Sequence, residues 1–344
     1  MRAHVEGIAE AVCGSWWGRA ARVVAAVASL LAALAPSPAL SQQHGYPERP
    51  ITIVVSYTSG STPDVIARVV APVLAEHLGQ PVVVENKAGA GGTIGLASVA
   101  RARSDGYTLG LVNPAVIATA PAMYRNLPYD PLRDFSAVIK LATAPIVLLV
   151  PASSPAKSTQ ELIAMMKSKK SVLYGSGGVG TAQHLQGALL GRLAGVKADH
   201  VPYRGQSQQL VGAMAGEVDY TFSSLPGAIG FVKDGRLRAL GVTTLEPSPS
   251  LPEVPSLSAA GLKGFDKSTA WFGVVVPSGT PEPVVDTLHR ALVKALMNPA
   301  VQSKLLAVGF DPAPPASAGD FGAFIRDQIP FWADLVRLSG ATVE

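Results

Sequence analysis

Twice in this chain an apolar strand runs into a loop of glycine, serine and threonine that opens directly onto an amphipathic helix. The first unit is Ile51-Thr52-Ile53-Val54-Val55, then Ser56-Tyr57-Thr58-Ser59-Gly60-Ser61-Thr62-Pro63-Asp64, then a predicted helix from about Val65 to Leu78. The second is Ser171-Val172-Leu173-Tyr174, then Gly175-Ser176-Gly177-Gly178-Val179-Gly180-Thr181, then a predicted helix from about Ala182 to Leu193. The first N–H groups of a helix lack intrahelical partners, and the aligned peptide dipoles place partial positive charge there. Hydroxyls and a backbone with little Cβ bulk make each junction a cradle for an anionic oxygen. Two such cradles, far apart in sequence, point to two lobes gripping one anion from both sides.

The N-terminus reads as a segment to be removed. Arg19 and Arg22 precede an apolar run from Val23 to Ala35, and Pro36-Ser37-Pro38-Ala39-Leu40-Ser41 follows. That is the pattern of a signal peptide over residues 1–41, with cleavage after Ser41. The run is too short to anchor in a bilayer, and no other segment reaches spanning length. The stretch before Arg19 is long and carries Glu6 and Glu10, which leaves the true start open. The only cysteine, Cys13, precedes the apolar run and so is not a lipoprotein cysteine. The 303 residues after Ser41 therefore contain no thiol, which excludes a disulfide framework, a thiolate nucleophile and a Cys-ligated metal. They are enough for two domains. They hold 25 basic and 22 acidic residues, a net charge of +3, and no Lys/Arg run that suggests nucleic acid. A mild positive balance suits an anionic small molecule.

Short β-branched runs alternate with helical patterns, the signature of an α/β chain with largely parallel sheets. Pro81–Asn86, Tyr107–Val112 and Ile146–Val150 read as strands, and Asn113-Pro114 ends one of them at the level where open sheets bind ligands. A second series follows with strands at Asp199–Pro202, Tyr220–Ser223 and Leu237–Val242, and a return strand at Trp271–Val276. Crossings near 146–150 and 271–276 make a two-hinge clamshell. Residues 42–145 with 272–344 form lobe one, 146–271 form lobe two, and the ligand cleft lies between.

The bland readings stay beside the chemical ones. Gly175-x-Gly177-x-x-Gly180 fits a dinucleotide fingerprint, with Asp199 near the place of a ribose-binding acid, yet an exported protein does not meet free nicotinamide cofactor. The same loop also fits a tight turn without ligand. Asp64 suits helix capping as well as contact with a ligand amine or water. His184 fits a satisfied buried histidine as well as a ligand contact, and Arg204 fits a carboxylate partner or an ordinary surface arginine. No G-x-S-x-G elbow, H-E-x-x-H helix or metal-ligand spacing is present.

The chain from Tyr46-Pro47-Glu48-Arg49-Pro50 onward resembles a known family. The resemblance rests on Asp64-Val65-Ile66-Ala67-Arg68, Gly79-Gln80-Pro81-Val82-Val83-Val84-Glu85-Asn86, Gly89-Ala90-Gly91-Gly92 and Asp105-Gly106-Tyr107-Thr108-Leu109. Leu127-Pro128-Tyr129-Asp130-Pro131, Gly180-Thr181-x-x-His184-Leu185, His200-Val201-Pro202-Tyr203, Gly235-Arg236-Leu237-Arg238-Ala239-Leu240 and Trp271-Phe272-Gly273 complete it. In this order they are similar to the Bug family of extracytoplasmic solute-binding proteins, receptors of tripartite tricarboxylate transporters. The resemblance implies a type II periplasmic-binding-protein fold, two α/β lobes joined by two crossing strands, closing over a small carboxylate. It implies ligand contacts from Tyr57, Ser59, Gly60, Ser61 and Asp64 in lobe one, and from Gly178, Thr181, His184 and Tyr203 in lobe two. One departure stands out: Ser59-Gly60-Ser61-Thr62 occupies the place of the family's common Pro-Gly-Gly stretch, adding hydroxyls to the first loop.

The expected protein is a monomeric periplasmic receptor that hands a small carboxylate to membrane transporter subunits. It catalyses nothing, uses no cofactor or metal and binds no nucleic acid. Two other readings remain open: a sensor that presents its ligand to a signalling receptor, and an exported enzyme using the same cleft. Citrate-like, dicarboxylate, aromatic acid, amino acid and nicotinate-type ligands all fit two carboxylate cradles.

Overall fold

The computed structural model describes residues 45–341. The expected signal peptide and Cys13 lie outside them. Four strands open the chain: β1 (Ile51–Val55), β2 (Val82–Asn86), β3 (Thr108–Val112) and β4 (Phe135–Ala144). Then come β5 (Ile146–Pro151), β6 (Leu173–Ser176), β7 (Asp199–Pro202), β8 (Tyr220–Ser224) and β9 (Leu237–Val242), followed by β10 (Ala270–Pro277) and β11 (Asp311–Pro312). The helices are α1 (Thr62–Leu78), α2 (Thr93–Ala100), α3 (Ala120–Met123), α4 (Thr159–Ser168), α5 (Ala182–Ala194), α6 (Gln206–Met214) and α7 (Leu225–Lys233). Three more close the chain, α8 (Glu282–Met297), α9 (Pro299–Ala307) and α10 (Ala318–Ser339).

The strands form two sheets, ordered β11-β4-β10-β3-β1-β2 and β7-β6-β8-β5-β9. Both contain the same pattern. A parallel trio, β2-β1-β3 or β7-β6-β8, is followed by an antiparallel strand arriving from the other half of the chain, β10 or β5, and then by a further antiparallel strand, β4 or β9, with the short β11 added beyond β4 at the edge of the first sheet. This is the expected two-lobe binding-protein fold, with one correction: the sheets are mixed rather than largely parallel. Each trio is parallel because a helix returns the chain to the same edge, whereas the incoming strand needs no crossover and runs the other way.

The strand period of two decides which core each side chain enters. Ile51, Ile53 and Val55 of β1 pack with Ile66, Val70 and Leu74 of α1, while Val54 points to the opposite face. In β5, Leu148 and Val150 join the core that holds Leu185 and Leu189 of α5, and Val147 and Leu149 join Leu210 and Leu225. The crossing segments are bound side by side. The Ile146 N–H donates to Thr243 Oγ1 at 3.2 Å, Thr243 N–H donates to the Ile146 carbonyl at 2.9 Å, and Thr269 Oγ1 donates to Thr243 Oγ1 at 3.1 Å. Helix α10 packs on both β4 and α5. At its middle, Gln328 Oε1 accepts the indole N–H groups of Trp271 and Trp332, at 2.9 and 2.8 Å.

Three elements are not evident in the sequence. The run Phe135–Ala144 is a strand whose apolar positions are interrupted by Ser136, Lys140 and Thr143, which hides the alternation. Ala115–Thr119 winds as a wide π-type turn leading into α3. Asn298 ends α8 and starts α9, its side chain accepting the Ala300 N–H at 2.8 Å, so one apolar-periodic stretch is two helices.

Candidate functional site

The two loops occupy equivalent places. One follows β1, the middle strand of the first parallel trio, and leads into α1; the other follows β6, the middle strand of the second, and leads into α5. Both sit at strand carboxyl ends and helix N-termini, where side chains are sparse and N–H groups are free.

The first loop is built around Asp64, whose side chain is 2% exposed. Its Oδ2 accepts the Gly60 N–H at 2.8 Å and Arg68 Nε at 2.9 Å, and Ser59 Oγ donates to it at 3.4 Å. Its Oδ1 accepts Asn86 Nδ2 at 2.9 Å and Arg68 Nε at 3.0 Å. Burial alone pushes this carboxyl up, but the donors from Arg68, Gly60 and Asn86 outweigh it and hold the group down at about 2. Asn86 also donates to the Tyr57 carbonyl at 3.0 Å, tying the end of β2 to the loop after β1. The Tyr57 hydroxyl donates to Asn113 Oδ1 at 3.1 Å at the end of β3, and burial pushes it up to about 12, so it stays neutral. Ser61 caps α1 by its backbone shape alone. Its Oγ is buried without a hydrogen-bond partner, as is that of Ser56. Pro63 at the second helical position lacks an N–H, and the N–H groups of Thr62 and Asp64 have no protein acceptor among the described residues.

The neighbouring turn Gly89–Gly92 carries four consecutive positive φ angles, 137°, 45°, 65° and 98°. A Cβ at Gly92 would lie 2.6 Å from Val116 Cγ1 and 3.2 Å from Tyr57 Cζ, so only glycine lets this turn press against the first loop.

The second loop is held from beneath by histidines and hydroxyls. Ser176 Oγ accepts the Gly178 N–H at 3.1 Å, donates to the Gly178 carbonyl at 2.9 Å and lies 2.6 Å from His200 Nε2. His184 Nδ1 accepts the Gly180 N–H at 3.1 Å. Thr181 caps α5: its Oγ1 accepts the His184 N–H at 3.3 Å and donates to the Gly178 carbonyl at 2.8 Å. The His184 and His200 rings stack at 3.9 Å, with Tyr174 stacked beside both. Burial lowers the proton affinity of both; for His200, burial and then the neighbouring His184 push it down to about 4. Both rings are therefore neutral at pH 7. The N–H groups of Val179, Ala182 and Gln183 have no protein acceptor among the described residues.

Of the residues expected at a ligand, Ser59, Gly60, Ser61, Gly178 and Thr181 form the two loops themselves. Tyr57 and Asp64 have their polar side-chain atoms engaged by the loop or the strand ends behind it, and His184 Nδ1 is engaged by the Gly180 N–H. The Tyr203 N–H donates to the Ser176 carbonyl at 2.9 Å, and its hydroxyl donates to Glu217 Oε2 at 2.9 Å. Arg204 is exposed and forms no ion pair among the described residues. Ser224 caps α7 and donates to Gln206 Oε1 at 2.9 Å. Asn86, Asn113, Ser176, His200 and Met123 join this region without having been singled out as ligand contacts. Asn113, in the strand-ending Asn113-Pro114, carried the clearest signal. Met123 brings the halves together, since a Cβ at Gly180 would lie 2.3 Å from its Cε. Two concavities lie elsewhere, one of about 710 Å³ beside Pro128 and Ile329 and one of about 350 Å³ beside Phe135 and Arg326. Among the described residues no cluster of His, Cys, Asp or Glu is suited to a metal ion, and no helix is long and apolar enough to cross a membrane.

Comparison with known proteins agrees with this architecture. Residues 66–340 match the family described as tripartite tricarboxylate transporter family receptor, TctC. Protein BugT of Bordetella pertussis is 34% identical over 301 residues, covering 87% of this chain and 92% of BugT. The structure of Rhodopseudomonas palustris Rpa4515 with adipate superposes with a TM-score of 0.73 at 33% identity, covering 87% of this chain and 99% of that one. MatC of the same organism, with bound malate, gives 0.70 at 32% identity, covering 85% and 100%. The strand order, the paired loops and these matches together make the chain a member of the tripartite tricarboxylate transporter receptor family, the Bug-type periplasmic solute-binding proteins, which are receptors and not enzymes.

Proposed function

We propose that this protein captures a small carboxylate between its two loops in the periplasm and delivers it to membrane transporter subunits by hinge closure. The observation that carries the reading is the pairing of the loops. Each follows the middle strand of a parallel trio and presents helix N-terminal N–H groups without protein acceptors among the described residues. In this reading the carboxylate oxygens are bound by the N–H groups of Val179, Ala182 and Gln183 on one side and of Thr62 and Asp64 on the other, through water where the gap is wide. Tyr57, Asp64, His184 and Tyr203 then support the loops from behind. Residues 42–145 with 272–344 act as lobe one and residues 146–271 as lobe two. The hinge lies where Ile146, Thr243 and Thr269 are bonded together, and the protein works as a monomer exported by its first 41 residues.

Adipate and malate, the ligands of the two related structures, set the starting class: small dicarboxylates. Hydrogen bonds from amides to a carboxylate are charge-assisted, and closure strengthens them by removing water. A ligand shifts the equilibrium only through its preference for the closed state, which is then the form a transporter recognises. The test is a thermal-shift screen of the purified protein against a carboxylate panel with NAD as control. A ligand at a hundred times its dissociation constant adds about 2.7 kcal/mol. For about 300 residues the unfolding entropy is about 0.6 kcal/mol/K, so the melting temperature rises by about 4 °C. A shift with a carboxylate that is recovered unchanged supports the reading; a shift with NAD alone overturns it.

A further inference from the structure

The two loops share a tether that neither composition nor strand pattern reveals. In α1, Ser61 is the capping residue and Asp64 the third helical residue; in α5, Thr181 is the capping residue and His184 the third. In both, the side chain of that third residue accepts the N–H of the glycine just before the cap: Gly60 to Asp64 at 2.8 Å, Gly180 to His184 at 3.1 Å. Both glycines have positive φ, 80° and 76°. Aligned on their caps, Gly60-Ser61-Thr62-Pro63-Asp64 and Gly180-Thr181-Ala182-Gln183-His184 are the same device, differing in the charge of the acceptor.

That difference bears on an anion site. The Gly180 N–H is taken up by His184, while the adjoining Val179, Ala182 and Gln183 N–H groups have no protein acceptor among the described residues. A carboxylate at position 184 would tether the loop equally well but set a negative charge beneath a site meant for another. Lobe one carries such a charge and offsets it with Arg68, at 2.9 Å from Asp64. Among the described residues no ion pair involves His184. The groups around it are uncharged: Tyr174 and His200 are stacked on its ring, Tyr220 is stacked behind Tyr174, and Ser176 is bonded to His200. The nearby Asp199 is exposed and pairs with Lys197. Lys167 of α4, and the Asp334–Arg337 pair of α10, occupy exposed positions on helices that pack against α5.

We infer that His184 is a positioning residue of the second loop, the neutral counterpart of Asp64, fixing the direction of the loop N–H groups without opposing the charge of the bound carboxylate. His200 holds its ring by stacking and anchors Ser176, the other inward acceptor. This inference rests on the receptor reading above.

Three substitutions separate the acceptor from its charge. Asn places an oxygen where Nδ1 stands, so His184→Asn keeps a neutral acceptor. His184→Asp keeps the acceptor and adds charge, and His184→Leu keeps bulk alone. Two readouts are used, affinity for malate and adipate by calorimetry and amide exchange of Gly180 in the ligand-free protein. The expected result is wild-type affinity within about threefold for H184N, and losses of at least thirtyfold for H184D and H184L. Gly180 exchange is slow in wild type, H184N and H184D and fast in H184L. Equal affinities for H184N and H184D, or slow Gly180 exchange in H184L, would overturn the assignment. If wild type binds neither acid, the dicarboxylate reading fails, while Gly180 exchange still decides whether the tether exists.

Discussion

Replacing Asp64 with asparagine separates a loop tether from a ligand contact. The carboxylate receives four donors: the Gly60 N–H, Arg68, Asn86 and, more distantly, Ser59. An asparagine amide keeps one oxygen and turns an NH2 toward the donors on the other side. Whichever way it lies, either Gly60 or Asn86 loses its acceptor. Arg68 is half exposed, so its release into water costs little. A hydrogen bond to a buried charge contributes about 1.5–3 kcal/mol, and a stranded donor adds to the loss, so D64N should destabilise the fold by about 3 kcal/mol. At about 0.6 kcal/mol/K for some 300 residues, that lowers the melting temperature by about 5 °C. Affinity should move by less than about tenfold, because loosening the loop and removing a negative charge act in opposite directions. The sign of the pH dependence follows from the shift. Asp64 titrates at about 2 when folded and 3.8 when unfolded, so its stabilisation is complete above 3.8 and is lost as pH falls toward 2. The gap between wild type and D64N in differential scanning fluorimetry should therefore close over that window. An unchanged melting temperature with a hundredfold loss of affinity would refute the tether and make Asp64 a ligand contact.

Other perturbations follow from the same geometry. Thr181→Val removes the α5 cap and the bond to the Gly178 carbonyl, so stability should fall by about 1 kcal/mol and carboxylate affinity should fall with it, measured by melting and titration together. Gly180→Ala forces a side chain into positive φ and within 2.3 Å of Met123 Cε; it should abolish ligand-induced stabilisation, and adding Met123→Ala should restore part of it. His200 titrates at about 4 when folded and 6.5 when unfolded, so it favours the folded state least under acid conditions. Stability should decline as pH falls from 6.5 toward 4, and His200→Gln should flatten that decline in a melting series.

Much of the fold is legible in local pattern. The strand at Ile51–Val55 and the helices after Ser61 and Thr181 follow from alternation, from helix periodicity and from Gly/Ser/Thr breaks that coincide with caps. The antiparallel placement of β10 beside β3 and β4 does not, because pairing is a tertiary choice made by cores that local sequence does not encode. The site divides the same way. The loops are visible as glycine-rich junctions, but whether Asp64 and His184 face outward or inward depends on acceptors for single N–H groups. Asn86 and Asn113 lie at the ends of other strands and His200 lies within β7, and they meet the loops only once the sheets have formed.

The most direct measurement is amide chemical-shift mapping of the isotopically labelled protein during titration with malate and adipate. The expected result is a saturable 1:1 change concentrated at Val179, Ala182 and Gln183 in one loop and Thr62 and Asp64 in the other. Saturable binding of either acid with no change in these amides would contradict the assignment of the two loops as a shared carboxylate site.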